Sequence, residues 1–64
     1  LDYDRYEVIK IIPQTTNFAA TVMKSRNTID TPWCLEYCGT GHYFDTYEEL
    51  QKLYFKHFKK RLED

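Results

Sequence analysis

A chain of 64 residues leaves little room for catalysis. A domain this small buries only about 60% of the surface its unfolded chain exposes, and a pocket of roughly 300 Å³ or more would consume much of the core. Hydrophobic residues make up 42% and aromatics 17%, which marks a folded domain rather than a disordered tail. With a formal net charge of −1, no long-range field draws the whole molecule to nucleic acid or to an anionic membrane.

The chain reads as short strands followed by one helix. Arg5 to Ile12 is the first expected strand, dense in β-branched residues. Pro13 stops it, and Gln14-Thr15-Thr16-Asn17 is a polar turn into a second strand, Phe18 to Lys24. Phe18, Ala20 and Val22 fall on one face of that strand, with Ala19, Thr21 and Met23 on the other. The polar stretch from Ser25 to Pro32 is a loop, and a contact loop by composition. Trp33 to Cys38 alternates cleanly as a third strand: Trp33, Leu35 and Tyr37 face the core, while Cys34, Glu36 and Cys38 face outward. Gly39-Thr40-Gly41 is the expected turn, and His42-Tyr43-Phe44 is either a short fourth strand or the lead into the helix.

The helix start is the sharpest local signal. Thr46 followed by Glu49 is a capping box, in which hydroxyl and carboxylate satisfy backbone donors that the first turn leaves open. From Tyr47 to about Leu62, Tyr47, Leu50, Leu53, Tyr54, Phe58 and Leu62 form one apolar arc, with Phe55 at its edge. Glu48 and Glu49 near the start and Lys56, Lys59, Lys60 and Arg61 near the end follow the order the helix dipole favours. His57 and Arg61 fall inside the arc, where their polar ends must reach solvent or a partner.

Chemistry-bearing residues are few. Cys34, Cys38, His42 and His57 include the thiolate spacing of a zinc site but lack a second close ligand pair. No metal or cofactor is therefore expected. In an extended strand Cys34 and Cys38 stand roughly 13 Å apart, beyond the ~7 Å reach of a disulfide. Unpaired thiols, with no secretion-signal pattern at the N-terminus, point to a reducing, cytoplasmic setting. Neither the spacing of thiols and histidines nor any glycine loop describes a nucleophile with its base, so no enzyme, catalytic residue or small-molecule substrate is expected. There is no apolar run long enough to span a membrane.

One short stretch has a likeness elsewhere. Phe44-Asp45-Thr46-Tyr47-Glu48-Glu49 resembles the strand-to-helix step of a class of plant DNA-binding domains and of integrase arm-type domains. Those modules set three antiparallel strands against one helix, so the resemblance implies a sheet that reads DNA. Lys10, Lys24 and Trp33 are the residues this chain offers for such a face. The likeness covers six to ten residues and assigns no family.

The expected architecture is α+β: three or four antiparallel strands with one C-terminal helix across one face, in a single domain spanning 1–64. The first strand is apolar on both sides, because Val8 and Ile12 alternate with Ile9 and Ile11. One helix covers only one face, so the other is expected to meet a protein partner or a second copy. Val8, Lys10, Ile12, Cys34, Glu36 and Cys38 are the expected contact residues. The alternative is a nucleic-acid-binding module using the sheet face or the basic helix end, Lys56, Lys59, Lys60 and Arg61.

Overall fold

A computed structural model describes residues 5–15, 18–27 and 31–62. Residues 16–17 of the expected Gln14–Asn17 turn and residues 28–30 of the contact loop lie outside the described residues. The elements are β1 (Tyr6–Thr15), β2 (Phe18–Ser25), β3 (Trp33–Tyr37), β4 (Thr40–Phe44) and α1 (Tyr47–Phe58). The four strands form one antiparallel sheet in sequence order, with α1 packed over β3 and β4.

The alternation of β2 and β3 falls as their sequences require. Ala20, Val22 and Leu35 are buried with Leu50, Tyr54 and Leu62 in the main core, and Trp33, Tyr37, Phe44, Tyr47, Leu53 and Phe58 pack around them. Rings do much of the filling: Trp33 meets Tyr47 at 4.7 Å, and Tyr54 meets Phe58 at 4.8 Å between centroids. Such pairs add about 0.5–1.5 kcal/mol each beyond the area they bury. That is how a short chain whose two cysteines are both free fills a core.

Three boundaries differ from the sequence expectation. β1 continues through Pro13 to Thr15, which an edge strand permits because a missing N–H there disturbs no neighbour on the open side. The second hairpin turns at Cys38 and Gly39 rather than at Gly39-Thr40-Gly41. Both residues have positive φ, 54° and 75°, the pattern of a two-residue type I′ turn, so Thr40 and Gly41 belong to β4. The helix stops at Phe58 instead of running to Leu62, because Lys59 adopts a left-handed conformation (φ 59°). The chain then folds back, returning Leu62 to the core, with its carbonyl accepting from Gln51 Nε2 at 3.0 Å.

The capping box forms as expected. Glu49 N donates to Thr46 Oγ1, and Thr46 N donates to Glu49 Oε1, both at 3.2 Å.

Candidate interaction surface

The surface that the helix leaves open is governed by one irregularity. Val8 pairs with Met23 and Lys10 pairs with Val22, so Ile9 is an extra residue in β1. A bulge of this kind breaks the two-residue alternation of a strand. Cross-strand partners share a face. Tyr6, Val8 and Ile11 therefore lie on the outer face with Ser25, Met23 and Thr21, while Glu7, Lys10 and Ile12 lie on the helix side with Lys24, Val22 and Ala20. The single contact face expected from Val8, Lys10 and Ile12 is thus divided. Val8 is outward, Lys10 is on the helix side, and Ile12 packs against the main core.

The outer face is not a bare apolar sheet. Met23 and Cys34 have no exposed surface and form a second buried cluster with Tyr6. The cover comes from the edges: the rings of Tyr6 on β1 and Tyr43 on β4 come within 5.7 Å of each other. The Tyr6 hydroxyl donates to the Thr31 carbonyl at 2.8 Å, holding its ring in place. Cys34, expected as a contact residue, lies beneath this cover, and burial pushes its thiol up to about 11. A thiol so protonated is a poor nucleophile. Glu36 remains on the outer face, half-buried opposite Thr21. Cys38 is exposed in the hairpin turn rather than on the strand face.

Among the described residues, three of the five large exposed apolar side chains lie on β1, the others being Tyr43 on β4 and Phe55 on α1. Val8, Ile9 and Ile11 are 42%, 52% and 62% exposed, and β1 is an edge strand of the sheet. On the helix side, Ile9 and Lys10 join Val22, Trp33 and Tyr47 around an open depression of about 280 Å³. It exists because the axis of α1 lies over β3 and β4 rather than over β1. Sequence alternation identified β1 as apolar on both sides but could not locate the bulge that redistributes its residues.

The residues expected for nucleic acid sit elsewhere. Lys56 is in the last turn of α1, and Lys59, Lys60 and Arg61 follow it, all exposed. Lys10, Lys24 and Trp33 are on the helix side of the sheet, with Lys24 Nζ 5.1 Å from the Trp33 ring centroid. The outer-face residues Tyr6, Val8, Ile11, Thr21, Met23, Cys34, Glu36 and Tyr43 include no cation. That differs from the DNA-reading face implied by the local likeness at Phe44–Glu49. His57 is exposed, its ring 5.6 Å from that of Tyr37. Among the described residues no three of His, Cys, Asp and Glu gather as a metal site, and no helix is long and apolar enough to cross a membrane.

Comparison with protein-family models, with curated proteins and with solved structures gave no match to this chain.

Proposed function

We propose that the chain is a small protein-interaction module without catalytic activity, and that it associates with a second copy of itself through β1. The observation that carries this reading is the exposure of Val8, Ile9 and Ile11 together on an edge strand. An edge presents unpaired backbone N–H and C=O groups, and a long apolar edge is a template for pairing with another chain. Val8, Ile9 and Ile11 lie close together on one strand, whereas the other large exposed apolar side chains, Tyr43 and Phe55, stand singly on β4 and α1. Sedimentation of the chain over a wide concentration range tests this reading. A mass that rises with concentration, and that falls back when Ile11 is changed to Lys, supports it. A chain that stays monomeric refutes it.

A second reading has one specific observation behind it, the exposed group Lys56, Lys59, Lys60 and Arg61 beyond the end of α1. Binding of nucleic acid there would weaken steeply with salt and be lost in the Lys59→Glu, Lys60→Glu double variant. Equal retention of the double variant and the native chain on mixed DNA and RNA removes this reading.

A further inference from the structure

We infer that residues Lys59–Leu62 form a hinged strap with two conformations. In one, seen in this structure, the strap folds back beside α1 and Leu62 lies in the main core. In the other it continues α1 as a further turn of helix and withdraws Leu62 from the core. The inference stands apart from both functional readings above, since it concerns how the end of α1 is held.

The folded-back state has one anchor and a strained hinge. Leu62 is 6% exposed and belongs to the cluster of Ala20, Val22, Leu35, Leu50 and Tyr54. Its carbonyl accepts from Gln51 Nε2 at 3.0 Å, while Lys59, Lys60 and Arg61 between this anchor and the helix are all exposed. Lys59 sits at φ 59° and ψ 26°, a left-handed conformation that crowds any Cβ and that helix ends ordinarily give to glycine. Its N–H still makes a helical hydrogen bond, to the Phe55 carbonyl at 2.9 Å. The two states therefore part at the backbone angles of Lys59 itself.

The same four residues also suit a helix. Lys59, Lys60, Arg61 and Leu62 include no Gly, Asn or Pro to stop one, and all are good helix formers. Leu62 follows Phe58 by four residues and Tyr54 by eight, so continuation would extend the apolar stripe of α1. Against it stands charge. A continued helix sets Lys56 beside Lys59 and Lys60, three and four residues on, and like charges so spaced repel. Ending the helix at Phe58 takes Lys60 off that face. The strap is thus a latch over one end of the core, closed by Leu62 and biased by the charge at residue 56.

Opposing substitutions test the latch, read by NMR at residues 59–62 and at the Gln51 side-chain amide. Relaxation dispersion on the native chain should show a minor state with helical Cα shifts at Lys60 and Arg61. Lys59→Gly frees the left-handed hinge of strain and penalises the helix. It should lower the minor population at least about fivefold, and slow solvent exchange of the Gln51 amide accordingly. Lys56→Glu turns both repulsive spacings into attractive ones and should raise that population about threefold or more. Leu62→Ser removes the apolar anchor and should make the helical shifts dominant. The first two substitutions leave every buried residue in place, so they decide the matter even if Leu62→Ser fails to fold. A native chain and a Lys56→Glu variant that both lack the helical minor state overturn the inference. So does a Leu62→Ser strap that detaches without becoming helical.

Discussion

Gln14, near the end of β1, donates through Nε2 to the Tyr54 hydroxyl in the middle of α1 at 2.8 Å, joining residues 40 apart in the chain. The same amide reaches the Ile12 carbonyl at 3.3 Å. Because α1 lies over β3 and β4, this side-chain contact is a polar tie between the helix and the edge strand proposed to carry the interface. It also gives the buried Tyr54 phenol the partner that a hydroxyl in a core requires.

Removing either end should therefore have a defined cost. Tyr54→Phe and Gln14→Ala are each expected to lower stability by ~1 kcal/mol, the usual net value of an intramolecular hydrogen bond. The double variant should lose about as much as either single one, because both delete the same bond. Urea unfolding of the three variants measures this. Losses that simply add would show that the two side chains act separately.

The two cysteines should differ sharply toward a thiol reagent. Cys38 is exposed in its turn, whereas Cys34 has no exposed surface beneath Tyr6 and Tyr43. One equivalent is expected to react quickly, at Cys38, and the second only as the domain opens. Tyr43→Ala lifts half of the cover and should speed Cys34 modification at least tenfold, with Cys38 unchanged. Peptide mapping by mass spectrometry after timed labelling separates the sites. Equal rates at both cysteines in the native chain would contradict the covered geometry.

Much of the fold was legible because its signals are local. Thr46 and Glu49 carry their own capping chemistry, and the alternation through Trp33, Leu35 and Tyr37 defines a face without outside information. What escaped depends on tertiary context. Nothing in Val8-Ile9-Lys10 marks Ile9 as a bulge, since that follows from how β1 registers against β2. Lys59 carries no breaking signal either, yet the helix ends there as Leu62 folds back into the core. The outer face read as open because a sequence pattern assigns Tyr6 and Tyr43 to strands without showing that their rings meet over Met23 and Cys34. The expected contact set was correspondingly mixed, with Val8 exposed, Ile12 in the core and Cys34 covered.

The β3–β4 turn contains a correctable local cost. Cys38 holds φ 54° and Gly39 φ 75°, and a side chain other than Asn, Asp or Gly is disfavoured at the first of these positions. Cys38→Asn is expected to raise stability by ~0.5–1 kcal/mol, since Asn-Gly suits a type I′ turn. Cys38→Val should lower it by ~1 kcal/mol or more, because branching at Cβ crowds the left-handed conformation. Thermal melts under reducing conditions rank the three chains. Valine as stable as asparagine would mean that the turn does not have this geometry in solution.

Alkaline pH should destabilise the domain through Cys34. Burial raises its thiol from 9.0 to about 11 in the folded chain, so between those values the folded state holds a proton that the unfolded state has released. The sign follows directly: stability is intact below pH 9, falls as pH rises toward 11, and then levels for this group. The loss is at most about 3 kcal/mol, at ~1.4 kcal/mol for each pH unit between the two values. Tyr37 is also raised from 10.0, mainly by burial, and contributes with the same sign at the upper end of the range. Cys34→Ala separates the two. That variant should be less stable at neutral pH, having lost buried volume, but its stability should stay nearly flat between pH 9 and 10. Urea unfolding at half-unit pH steps supplies the comparison, and an unchanged slope in Cys34→Ala would assign the alkaline loss to another group.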